Sequence, residues 1–226
     1  MPKPIEFLCL ANSRKMQGRC IAGLTPKGKW VRLISDRPNG ELIQTEYRLK
    51  GGLEPEHFDV ILAGISNALP ESHQPENWVI SGTPWQLSGR GGAKTQLKLL
   101  EKALYKPTSL FGNYGDRVQY GLLEKTPAEA SLALISPENP RFLIRQNFRG
   151  NKQIRAIFQF SGHEYSLGVT DRAGEAAASS LAFGEHPFSK VFSVPKGGKV
   201  FFVISLSDPA EFDNCCYKLV ASILIV

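Results

Sequence analysis

The sequence predicts a mainly β protein built as two small β-barrels with one or two short helices. Three observations lead there. Most apolar residues fall in short runs rich in Val, Ile, Phe and Tyr, shorter than most helices. The runs are divided by turn formers, among them 21 Gly and 15 Pro. The length of 226 residues exceeds the roughly 100–150 of a common domain, and a composition of 42% hydrophobic and 21% charged residues can bury a core in each half.

Along the chain, residues 5–10, 19–24 and 29–35 read as strands, parted by the polar stretch 12–18 and by Thr25-Pro26-Lys27-Gly28. Pro26-Lys27-Gly28 suits a hairpin, and alternation puts Trp30, Arg32 and Ile34 on one face of the third strand. Residues 58–65 and 77–81 add two more strands. Five short strands is the count of an OB-type barrel, which SH3-like barrels and small sandwiches also satisfy. Residues 82–93 are rich in Gly, Ser and Pro and mark a boundary. A helix follows over 95–104, where Leu97, Leu99, Leu100, Ala103 and Leu104 recur at helical spacing behind Thr95 as the cap. Residues 107–130 hold Gly112, Gly115 and Pro127 and no periodic segment, so they read as an irregular connection. Strand signals return at 132–135, 141–146, 153–160, 163–169, 200–206 and 217–225, with Ser161-Gly162 and 136–140 as turns and a short helix around 173–181. The expected division is residues 1–90 as a first OB-like barrel, 91–130 as helix and connector, and 131–226 as a second OB-like barrel.

Several function classes drop out. The amino-terminal stretch meets Glu6 and then Arg14-Lys15 before any apolar signal region, and the longest apolar runs, 200–206 and 219–226, fall far short of the roughly 20 residues of a spanning helix. A cytoplasmic protein without membrane attachment is expected. Three of the four cysteines sit in apolar strand-like segments and read as structural thiols of a reducing cytosol. Cys215-Cys216 is no C-x-x-C pair, and His57, His73, His163 and His186 form no H-x-x-x-H frame, so neither metal nor cofactor is expected. Dispersed acids such as Asp59, Glu71 and Asp171 are what any chain with 21 acids offers by chance. Cys20 beside Arg19 reads as a strand cysteine more readily than as an activated thiol. No complete catalytic constellation remains.

Charge is the informative feature. Residues 1–50 carry ten Lys or Arg against four acids, so the net charge of +6 sits almost wholly in this segment. A second acid-free stretch holds Arg141, Arg145, Arg149, Lys152 and Arg155. Concentrated cations suit a polyanion, because phosphate binding releases the counterions condensed on it; the competing reading is a solvated basic surface. Aromatic rings lie among these cations: Trp30 beside Arg32, and Phe142 and Phe148 in the second stretch. Single-stranded nucleic acid asks for cations on phosphates and rings under bases, although core packing competes for each ring. The candidate contacts are Arg14, Lys15, Arg19, Arg145, Arg149 and Lys152 on phosphates, Trp30 and Phe148 as stacking rings, and Arg32 in either role.

The stretch Cys9-Leu10-Ala11-Asn12-Ser13-Arg14-Lys15, then Gly18-Arg19-Cys20-Ile21-Ala22-Gly23 and Trp30-Val31-Arg32, resembles the opening of the bacterial dual-OB domain family. Tyr165-Ser166-Leu167-Gly168-Val169-Thr170-Asp171, Val203-Ile204-Ser205-Leu206-Ser207 and Tyr217-Lys218-Leu219-Val220-Ala221-Ser222-Ile223 are similar to its second half. The resemblance implies two OB-like barrels in one chain and a role in binding nucleic acid; with no catalytic constellation, the expected function is non-catalytic binding of single-stranded or distorted DNA or RNA. A module that docks a protein partner is the alternative, and a hydrolase with an unrecognised site stands behind it.

Overall fold

A computed structural model describes residues 3–147 and 150–226, at 93–95 the backbone alone. The chain divides into two units, one holding residues 3–103 with Pro127–Ser131, the other Leu104–Thr126 with Leu132–Val226. The helix expected as a connector therefore goes with the first unit, and most of residues 107–130 with the second.

In the first unit the strands are β1 (Lys3–Lys15), β2 (Gly18–Leu24), β3 (Trp30–Ile34), β4 (Asp59–Ala68), β5 (Asn77–Ile80) and β6 (Gln86–Arg90). A short helix α1 (Gln44–Tyr47) lies between β3 and β4, and α2 (Ala93–Lys102) follows β6. The order β1-β2-β3-β5-β4 closes on itself, because β1 pairs with β4 through Lys3–Leu8 and with β2 from Leu8 onward. One strand can serve two neighbours because it bends at a bulge between Cys9 and Ala11. Gly23 permits the bend: a Cβ there would collide with the Leu8 carbonyl and the Phe7 ring. All pairings are antiparallel except β3 with β5. The closed five-stranded barrel encloses Phe7, Ile21, Val31, Leu33, Ile61 and Trp85, with Phe7 and Trp85 edge to face at 6.3 Å. Fully burying such side chains stabilises by about 2–3 kcal/mol each.

The second unit contains β7 (Arg117–Gln119), α3 (Tyr120–Lys125), β8 (Leu132–Ile135), β9 (Glu138–Gln146), β10 (Lys152–Phe160), β11 (His163–Val169), α4 (Arg172–Ala178), β12 (Gly184–Pro187), β13 (Val200–Pro209) and β14 (Cys215–Ile225). Its order β9-β10-β11-β14-β13 repeats that of the first unit, again with one parallel pair, β11 with β14. Here β8 pairs with β13 while β9 pairs with β10, so β8 and β9, parted only by Ser136-Pro137, divide the work that β1 does alone. Two further strands flank this set, β12 on β9 and β7 on β14. The core is aromatic: Phe142 stacks on Phe188 at 5.7 Å, and Phe158 meets Phe202 edge to face at 5.3 Å.

Several expectations change. The stretch 12–18 is strand as far as Lys15, because Asn12 and Ser13 bond to the Pro55 and Cys20 carbonyls instead of folding a turn. The helix begins at Ala93 behind Gly92, ahead of Thr95, and β6 occupies a stretch whose Gly and Ser content reads as linker. The two-residue Ser161-Gly162 turn is present, both residues at positive φ as a type I′ hairpin requires.

Candidate nucleic-acid interface

The first group of expected contacts gathers on the β1–β2 hairpin. Register pairs Arg14 with Arg19 and Lys15 with Gly18, leaving a two-residue turn of Met16 and Gln17. Arg14 is exposed, Lys15 and Arg19 are half-buried, and Met16 stands 63% exposed at the tip. The β3–β4 connection braces this hairpin: Arg19 exchanges backbone hydrogen bonds of 2.8 and 3.0 Å with Leu42, and its guanidinium carbon lies 6.0 Å from the centre of the Tyr47 ring. So close an approach needs Gly18, where a Cβ would strike the Leu42 carbonyl. The Glu41 carboxylate also reaches this hairpin and accepts from the Gln17 amide at 3.2 Å.

The second group gathers on the β9–β10 hairpin. Arg145 is exposed and opposite Gln153, whose Oε1 accepts from Arg145 Nε at 2.9 Å. Lys152 begins β10, and its ammonium donates to the carbonyls of Ser179 and Leu181, just past α4. The same Nζ lies 6.0 Å from the centre of the Phe183 ring, which is 64% exposed. Phe148 and Arg149 fall outside the described residues.

Other expected contacts do not join these groups. Trp30 pairs with Leu24, five residues along β2 from Arg19, a separation of roughly 17 Å. Arg32 does share the outward face of β3 with Trp30, but it is buried: Nη2 donates to Ser131 Oγ at 2.8 Å and Nη1 to Cys20 Sγ at 3.4 Å. Ser131 in turn donates to Glu76 from both its amide and its hydroxyl, each at 2.7 Å. This pins Pro127–Ser131 to the first unit and withdraws Arg32 from any surface role. Phe142 is a core ring with no exposure. Two arginines of the second acid-free stretch are neutralised from elsewhere in the chain: Arg141 bridges Glu164 and Glu185 at 3.0 and 2.9 Å, and Arg155 meets Asp116 at 3.1 Å.

Around Asp116 lies a dense network. Although burial works the other way, hydrogen bonds from Arg117 and Arg155 hold the Asp116 carboxyl below its usual range. Lys218, fully buried on β14, donates from Nζ to both Asn113 oxygens at 2.8 Å and faces the Tyr165 ring at 5.5 Å. Burial pulls its ammonium down to about 8 against the opposing pull of Asp116. Asp171, a sequence candidate for ligand or ion pair, caps α4 through the Gly174 amide and accepts from the Ile223 amide. Burial pushes the thiols of Cys9 and Cys216 up to about 12, which suits structural cysteines.

A concavity in the first unit is lined by Asp36, Glu46, Ser66, Asn67 and Ser81; its carboxylates carry the wrong sign for phosphate. Among the described residues no three His, Cys, Asp or Glu gather as a metal site, and no helix is long and apolar enough to cross a membrane. Exposed phenylalanine rings among the described residues that have no counterpart among the sequence candidates are Phe183, and Phe212, which packs 6.0 Å from Tyr217 and is 66% exposed. The signal for each was a lone Phe among small or acidic residues, Ala182-Phe183-Gly184 and Glu211-Phe212-Asp213.

The profile of one family, described as the dual OB-containing domain, matches residues 5–223. Comparison with curated proteins returned no match. Similar solved structures include a p204 HINb domain, 12% identical over 100% of this chain and 97% of that one with a TM-score of 0.36. Another is an Ifi202 HINa domain in complex with 20bp dsDNA, 10% identical over 99% of this chain and 95% of that one with a TM-score of 0.28.

Proposed function

Because the chain belongs to the dual OB-containing domain family, we propose that it binds single-stranded nucleic acid without acting on it chemically. The phosphates lie along the hairpin that joins the first two strands of each barrel. The observation that carries this reading is a repeated position. Exposed and half-buried cations cluster on the β1–β2 hairpin of the first unit as Arg14, Lys15 and Arg19, and on the equivalent β9–β10 hairpin of the second as Arg145 and Lys152. In OB folds this loop, with the face of the second and third strands, is where oligonucleotides bind. Arg149 and Phe148 belong to the same connection in sequence, and Trp30 opens the third strand, opposite the far end of the second, as a separate aromatic contact. The protein works in the cytoplasm, where its four thiols stay reduced.

A protein-docking role is the second reading, and one observation favours it. The β13–β14 loop of the second unit presents exposed Phe212 beside Glu211 and near Asp208, while Asp213 is held by Arg117, so the apolar ring carries no cation of its own loop for phosphate. Equilibrium binding of labelled oligothymidine and oligouridine across a salt series separates the two. Nucleic-acid binding gives affinity that grows with oligomer length and falls steeply with salt; affinity indifferent to both leaves the docking role.

A further inference from the structure

The connection between the third and fourth strands returns, in each unit, to the hairpin between the first and second. In the first unit it brings Leu42 onto Arg19 and sets the Tyr47 ring 6.0 Å from that guanidinium. In the second it adds β12 to the edge of β9 and sets the Phe183 ring 6.0 Å from the Lys152 ammonium. A cation at the start of the second strand thus meets an aromatic ring from the same connection in both. The two pairs differ in access. Tyr47 is 3% exposed and belongs to the barrel core, whereas Phe183 is 64% exposed.

We propose that Phe183 is a stacking platform for an unpaired base, so that the β9–β10 hairpin of the second unit works beside a base-stacking ring where the β1–β2 hairpin of the first has only a buried one. The proposal rests on the nucleic-acid reading above and deepens it. Three features favour a base on this ring. Phe183 leaves most of an apolar ring in water, a cost that stacking removes. The ring is held in place, because Lys152 anchors the carbonyls of Ser179 and Leu181 just before it and β12 pairs with β9 just after it. Its charged surroundings suit the strand that carries the base: Lys152 supplies a cation beside the ring, while the Glu185 carboxylate two residues on is held by Arg141. Duplex DNA offers no free base face along its length, so this arrangement selects single strands or distorted sites.

The test uses the full chain and two probes of roughly 16 nucleotides, the upper site size of one OB fold: labelled oligothymidine, and an abasic deoxyribose-phosphate strand of equal length. Wild type is expected to prefer oligothymidine. Phe183→Ala should lose about tenfold or more on oligothymidine, with affinity for the abasic strand and the salt slope unchanged. Phe183→Trp should keep the affinity, and its added emission should be quenched by oligothymidine and not by the abasic strand. If wild type prefers oligothymidine and Phe183→Ala retains that preference in full, bases stack elsewhere and the proposal fails. Failure also follows if wild type binds both strands equally. Should wild type bind neither strand with salt-dependent affinity, the nucleic-acid reading itself falls.

Discussion

Removing the cations of the β1–β2 hairpin should change the salt dependence of binding more than anything else about the protein. Each phosphate neutralised on a single strand adds about 0.7 to the slope of log affinity against log salt. Arg14 is exposed, Lys15 half-buried near the surface, and Arg19 half-buried and braced by Leu42, so two to three of these cations can meet phosphates. Replacing all three by Ala should therefore flatten the slope by about 1.4 to 2.1, which at the upper figure is about a 20-fold smaller loss of affinity between 50 and 200 mM salt. Fluorescence anisotropy of labelled oligothymidine at several KCl concentrations reads this directly. Arg141→Ala is the control, because it removes the same unit charge from a guanidinium already bridging Glu164 and Glu185. The reasoning is refuted if the triple variant keeps the wild-type slope, or if the control flattens it by as much as one hairpin cation does.

Two predictions concern the buried charges. Arg32→Met should cost about 2 kcal/mol by removing the guanidinium hydrogen bonds to Ser131 and Cys20; a denaturant midpoint reports the loss, and affinity per folded molecule should be unchanged. Lys218 titrates near 8 in the folded chain against an ordinary 10.5, so between those values the unfolded chain holds more protons and stability rises with pH. The charged form costs about 3 kcal/mol below that window. The rise should be clearest from pH 8 to about 9, since above the ordinary thiol value of 9.0 Cys9 and Cys216 act in the opposite sense. Thermal melts of wild type and Lys218→Met across this range should differ in slope, and parallel curves would show that the ammonium is not the cause.

Alternation and turn chemistry carried most of the strands into view. The Ser161-Gly162 hairpin and the shared face of Trp30, Arg32 and Ile34 were both legible, because strand geometry is local. What covers a face is not local. Arg32 points away from the barrel core as alternation requires, yet it is sealed by Ser131, 99 residues away, a distance over which no sequence period operates. The same limit hid the carboxylates that neutralise Arg141 and Arg155, since Glu164, Glu185 and Asp116 lie on other strands and loops. Asn12 and Ser13 carry turn-forming side chains, and only the neighbouring carbonyls of Pro55 and Cys20 turn them into strand residues. The hairpin cations were legible because two adjacent strands and their short turn hold them together in sequence as well as in space. Phe183 was not, because its importance comes from Lys152, which lies far from it along the chain.

The path of the backbone sets an order of events during synthesis. The chain leaves the first unit after Ala103, builds Leu104–Thr126 into the second, comes back for Pro127–Ser131 and then departs again. Arg32 and Glu76 emerge from the ribosome long before the serine that joins them. The first barrel must therefore wait, with a buried cation and a half-buried carboxylate incompletely bonded, until translation has passed residue 131. A fragment cut at the apparent boundary near residue 90 would stay in that waiting state, and exchanging either barrel between relatives would take several crossovers instead of one.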